Sequence, residues 1–124
     1  MTSDSSPTIL IVDNDEGVVR AIASRLKSLG YACVTAETGA QGISAFRSRK
    51  IDLVITDLNM PVGDGISLAK SLRNVSDVPI IFVTGFRDEY KPELLSIPNV
   101  SVLCKPFDTS ALIDLVEVEL ALRS

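Results

Sequence analysis

Five short apolar runs, each parted from the next by a stretch long enough for one helix, limit this chain more than any other feature. They are Thr8-Ile9-Leu10-Ile11-Val12, Ala32-Cys33-Val34-Thr35-Ala36, Ile51-Asp52-Leu53-Val54-Ile55, Val78-Pro79-Ile80-Ile81-Phe82-Val83 and Val100-Ser101-Val102-Leu103-Cys104. Runs of this length, bounded by turn formers and rich in β-branched aliphatics, read as buried strands. After the first, Val18, Ile22, Arg25/Leu26 and Leu29 recur at helical spacing up to Gly30, which predicts a helix from about Asp15 to Leu29 capped by Asn14 or Asp15. Thr38-Gly39-Ala40-Gln41 has the form of a capping box, opening a helix through Ile43 and Phe46. Asp64-Gly65-Ile66 opens another through Leu68, Ala69 and Leu72, and Asp108 caps a last one along Leu112, Leu115/Val116 and Glu119/Leu120. The stretch Phe86 to Asn99 is the weakest element, because Pro92 and Pro98 leave room for only one or two helical turns.

Strands alternating with helices imply an α/β fold: a parallel sheet covered on both faces by right-handed crossovers. Of the common doubly wound arrangements, the flavodoxin-like order 2-1-3-4-5 needs only five strands. One domain over residues 8–122 is expected, preceded by a loose polar leader, residues 1–7. In that order the first strand lies beside the third and the third beside the fourth. Asp13, Asp57 and Thr84, each at the end of one of these strands, then converge on the crevice where ligands of open α/β sheets bind, and Lys105 reaches in from the fifth. A lone Asp after a strand can merely start a turn. Four polar tips meeting at one crevice make a functional site the better reading. Cys33 and Cys104 fall on opposite edges, about 19 Å apart at the usual strand spacing, too far for a bridge.

The absence of histidine removes whole classes of chemistry. No Ser-His-Asp or Cys-His nucleophile, His-ligated zinc or histidine phosphocarrier fits within this chain. Net charge is −4 and the basic residues are scattered among acids, which argues against nucleic-acid binding by this domain. No apolar run is long enough to span a bilayer and no secretory signal opens the chain, so a soluble, cytoplasmic protein without membrane contact is expected.

Carboxylates at two adjacent strand tips make an oxygen-rich pocket suited to Mg²⁺, which takes one or two carboxylates, keeps waters and accepts phosphate oxygens. A lysine and a hydroxyl opposite them suit a phosphoryl group. Lys105 can act as a point charge, Thr84 can donate a hydrogen bond, and ionised Asp57 can be the nucleophile that forms an aspartyl phosphate. No Walker-type glycine loop is present to cradle a nucleotide.

The motifs Ile-Leu-Ile-Val-Asp-Asn-Asp-Glu (9–16), Val-Ile-Thr-Asp-Leu-Asn-Met-Pro-Val-Gly-Asp-Gly (54–65), Thr84-Gly85 and Lys105-Pro106-Phe107 together resemble the response-regulator receiver domain, the CheY-like phosphoacceptor of bacterial two-component signalling. The resemblance covers about residues 8–122. It implies that Asp57 accepts a phosphoryl group from the phosphohistidine of a sensor kinase or phosphotransfer protein. It implies further that Asp13, Asn14, Asp57 and the backbone carbonyl of Asn59 hold Mg²⁺, that Thr84 and Lys105 bind the phosphate, and that a downstream protein target reads the result. Such domains usually carry two acids where this chain has Asp13-Asn14, so weakened metal binding is expected. Val102 stands where a switching aromatic is usual, as in a stand-alone branch found in phosphorelays. A readout through the segment Phe86 to Pro98, around Phe86, Tyr90 and Leu94/Leu95, and a cis Lys105-Pro106 bond are expected in turn. Two competing readings are a degenerate receiver that binds partners without phosphate and an Asp-nucleophile phosphatase. The second usually shows another acid two residues past the nucleophile, where this chain has Asn59.

Overall fold

The computed structural model describes residues 6–58, 65–85, 96–105 and 108–123. Its strands are β1 (Thr8–Val12), β2 (Ala32–Ala36), β3 (Leu53–Asp57), β4 (Ile80–Thr84) and β5 (Val100–Cys104), and its helices α1 (Glu16–Ser28), α2 (Gly39–Ser48), α3 (Gly65–Arg73) and α4 (Thr109–Arg123). All strand pairs are parallel, in the order β2-β1-β3-β4-β5. This is the expected doubly wound sheet. Residues 86–95 of the expected element Phe86 to Asn99, the expected partner residues Phe86, Tyr90 and Leu94/Leu95, and the Lys105-Pro106 bond lie outside the described residues, as do Asn59 and the leader up to Ser5; residues 96–99 form a turn.

Alternation along the strands sorts the core into two layers. Leu10, Val12, Val54, Ile80 and Phe82 face one way and pack with Ile66, Leu68, Ala69 and Leu72 of α3 and with Ile43 and Phe46 of α2. Ile9, Ile11, Leu53, Ile55, Ile81 and Val83 face the other way, onto Val19, Ile22 and Leu26 of α1 and Leu112, Ile113 and Val116 of α4. The three central strands are buried on both faces, which is why their sequences run apolar almost without interruption. The edge strands β2 and β5 are only partly buried. Cys33 and Cys104, one on each edge, are both unbridged.

Helix ends follow the local chemistry. Asp15 is the N-cap of α1, its side chain accepting from the amides of Gly17 and Val18. Gly30 adopts φ +98 past the end of that helix, and the amides of Gly30 and Tyr31 donate to Lys27 and Leu26 carbonyls. Thr38 caps α2 through the Gln41 amide, and Gln41 Oε1 reaches back to the amide of Glu37, one residue ahead of the cap. β4 begins at Ile80, two residues later than its apolar run, because Pro79 has no amide to give a sheet ladder; its carbonyl still accepts from Val54.

Candidate functional site

Asp13, Asp57, Thr84 and Lys105 all stand at the C-terminal ends of strands, and the register brings those ends level. Val12 pairs with Thr56, Asp57 with Val83, and Thr84 with Cys104. The Lys105 amide donates to the Thr84 carbonyl at 2.8 Å, which holds the end of β5 beside that of β4. Lys105 Nζ lies 3.9 Å from Asp57 Oδ2, the ammonium part-exposed and the carboxylate nearly covered. Asp13 is 2% exposed, Asp57 8% and Thr84 1%. Three polar side chains are thus buried at the mouth of an otherwise apolar sheet, with one lysine reaching over them.

Asp13 is the least comfortable of them. Its Oδ1 accepts from the Asp15 amide at 2.9 Å, but its buried Oδ2 has no hydrogen-bond partner. Burial raises the Asp13 carboxyl above the usual carboxylate range; the Asp15 amide pulls it down, the Asp57 charge pushes it up again, and Lys105 opposes that push. A buried anionic oxygen that meets no donor suits a cation, and carboxylates at two neighbouring tips suit a hard one such as Mg²⁺. Among the described residues no three Asp, Glu, Cys or His side chains gather into a metal cluster. Asn14 is exposed. Because Asp15 caps α1, Asn14 is not occupied as the helix cap. Asn59 lies outside the described residues.

The backbone under Asp57 is held as tightly as its side chain. Thr56, fully buried, donates its hydroxyl to the Asp57 carbonyl at 3.0 Å. Gly65, the first residue of α3, comes so close that a Cβ there would overlap that same carbonyl oxygen and touch Leu58 Cα. Its amide donates to the Leu58 carbonyl at 3.1 Å. The sequence reading missed both residues as parts of the site. A glycine directly at a helix start, where a capping side chain or a better helix former would serve, was the available signal for Gly65; the reach of the Thr56 hydroxyl left none.

A family model described as the response regulator receiver domain matches residues 9–117. The chain is 35% identical over 113 residues to the transcriptional regulatory protein GlrR of Escherichia coli, covering 88% of this chain and 25% of that protein. It is 38% identical over 80 residues to the probable transcriptional regulator ycf27 of Cyanidium caldarium, covering 64% and 32%. The chain therefore spans a quarter to a third of the length of these curated relatives. Among solved structures, a Vibrio cholerae chemotaxis protein, CheY4, superposes with a TM-score of 0.87 at 26% identity, covering 93% of this chain and 99% of that one. A response regulator receiver protein from Sinorhizobium medicae gives 0.88 at 27%, covering 97% and 98%. With the family model running from β1 into α4 and the same fold around it, the chain belongs to the response regulator receiver domains of two-component signalling.

Proposed function

We propose that this domain is the phosphoacceptor of a cytoplasmic two-component system or phosphorelay, with Asp57 as the acceptor. The observation that carries the reading is the placement of the Asp57 carboxylate, almost covered, 3.9 Å from the Lys105 ammonium and at the strand tip next to Asp13 with its buried, unpartnered oxygen. A carboxylate oxygen of Asp57 attacks the phosphorus of a phosphohistidine presented by a sensor kinase or phosphotransfer protein. The O–P bond forms as the N–P bond breaks, and the imidazole nitrogen leaves with the electron pair. Lys105 sets its positive charge against the oxygens of the transferred group, and Thr84 supplies a hydroxyl at the tip of β4. Bound Mg²⁺ supplies neutralisation of the charge shared by attacking and transferred oxygens, and Asp13, Asn14, Asp57 and the Asn59 carbonyl would hold it. The chemistry is confined to the domain's own phosphorylation and dephosphorylation; the output is a contact with a downstream protein.

Asn14, in place of a second acid, favours one other reading, a receiver that signals without phosphate. Incubation with a small phosphodonor such as phosphoramidate, with Mg²⁺ or with chelator, separates the alternatives by intact mass. A single phosphoryl adduct that needs Mg²⁺ is the expected result. Continuous turnover of donor without an adduct marks a phosphatase, and neither adduct nor turnover marks the phosphate-independent receiver.

A further inference from the structure

We propose that Thr56 is a positioning residue for Asp57, its hydroxyl acting with the bare Cα of Gly65 to fix the peptide between Asp57 and Leu58 and so the direction of the acceptor carboxylate. The inference rests on Asp57 being the phosphoacceptor. Two unrelated observations meet on one atom. The Thr56 hydroxyl donates to the Asp57 carbonyl at 3.0 Å from a side chain with no exposure to solvent. On the side where α3 begins, Gly65 leaves no space for even a methyl group against that same oxygen. The amide of that same peptide, Leu58 N–H, donates to the Val83 carbonyl at 3.3 Å, and the next peptide is held as well, the Leu58 carbonyl accepting from the Gly65 amide at 3.1 Å.

A strand's last residue normally has backbone freedom on its outgoing side. Here that freedom is removed at the residue whose carboxylate has to meet a phosphorus in line, and small errors of aim at such an atom cost rate directly. Thr56 and Asp57 are neighbours on a strand, so their side chains leave on opposite faces. The hydroxyl therefore acts from the α2/α3 side of the sheet and touches neither donor nor metal. Its effect falls on the rate of transfer and not on the binding of the phosphodonor.

A Cβ at position 65 has to push the backbone aside and can cost the fold, so the test rests on Thr56. Thr56→Val keeps the shape and removes the hydroxyl; Thr56→Ser keeps the hydroxyl and removes a methyl group from the core. Thermal melts and single-turnover phosphorylation by phosphoramidate with saturating Mg²⁺ are measured for both variants and the parent. Both variants should melt somewhat below the parent, Thr56→Val because the Asp57 carbonyl loses that donor and Thr56→Ser because a buried methyl group is gone. The rate at saturating donor should instead fall about three- to tenfold in Thr56→Val, the worth of one lost hydrogen bond, and stay within about twofold of the parent in Thr56→Ser. The half-saturating donor concentration should not move. Rates that are equal in all three proteins, or a rate in Thr56→Ser that falls as far as that in Thr56→Val, overturn the positioning role while leaving Asp57 as acceptor. A parent protein that forms no adduct removes the acceptor reading and this inference together.

Discussion

The unpartnered oxygen of Asp13 is where the folded chain carries an electrostatic cost that a bound cation would relieve. Asp13→Asn replaces that buried charge by a neutral amide, so it should raise stability in chelator and should abolish stabilisation by added Mg²⁺; denaturant melts with and without the ion check both. The pH dependence has a definite sign. The folded carboxyl titrates above the 3.8 of an unperturbed one, so the stability it contributes is fully present below that value and is lost as pH rises through the raised folded value. In metal-free melts the Asp13→Asn protein should lack that decline. At the neighbouring position, Asn14→Asp adds a charge where the amide leaves none. A unit charge at about 4 Å is worth roughly 4 kcal/mol at an effective dielectric of 20 before solvation losses, so Mg²⁺ should bind at least about tenfold more tightly by calorimetric titration. Equal or weaker binding counts against ligation by residue 14. Asp13, Asp57, Thr84 and Lys105 were legible as candidates because a polar residue ending an apolar run is visible in one dimension. Thr56 and Gly65 were not, since a hydroxyl's partner and a backbone's close approach exist only once β3 and α3 are packed.

At the scale of elements, the sequence marked where each described helix lies, and the structure settles choices that propensity leaves open. Asn14 and Asp15 are both good caps, and Asp15 takes the role because its side chain meets the Gly17 and Val18 amides. Asp15→Ala should lower stability by about 1 kcal/mol, with Asn14→Ala costing less, in urea melts. A contact with no sequence signature joins the end of α3 to the approach to β5. The Arg73 guanidinium donates to the carbonyls of Ser76 at 2.8 Å, Pro98 at 2.9 Å and Asn99 at 3.2 Å. Asn99 sits at φ +58 and donates its side-chain amide to the Asp77 carbonyl at 2.6 Å. Arg73→Ala should cost about 1–2 kcal/mol, and Arg73→Lys should fail to restore it, because one ammonium cannot span three carbonyls as a planar fork does. A lysine variant as stable as the parent contradicts that account. Nothing local foretells this link, since its two ends lie about 25 residues apart.

For the molecule as a whole, the number of apolar runs and the helical stretches between them sufficed to give the strand order, because parallel neighbours need covered crossovers and few such orders exist. From that order followed the meeting of four strand ends at one crevice, and the separation of Cys33 from Cys104 on opposite edges. Val102, 37% exposed on the edge strand, offers no large ring to swing, and most of the segment expected to serve as readout, residues 86–95, lies outside the described residues. No described helix is long and apolar enough to cross a membrane. The central claim is that the crevice exists to let Asp57 accept a phosphoryl group. It is tested most directly by intact-mass measurement of the parent and the Asp57→Asn protein after the same exposure to phosphoramidate and Mg²⁺. The account predicts one phosphoryl group on the parent and none on Asp57→Asn, with both proteins folded; an adduct that survives the substitution, or a parent that never acquires one, contradicts it.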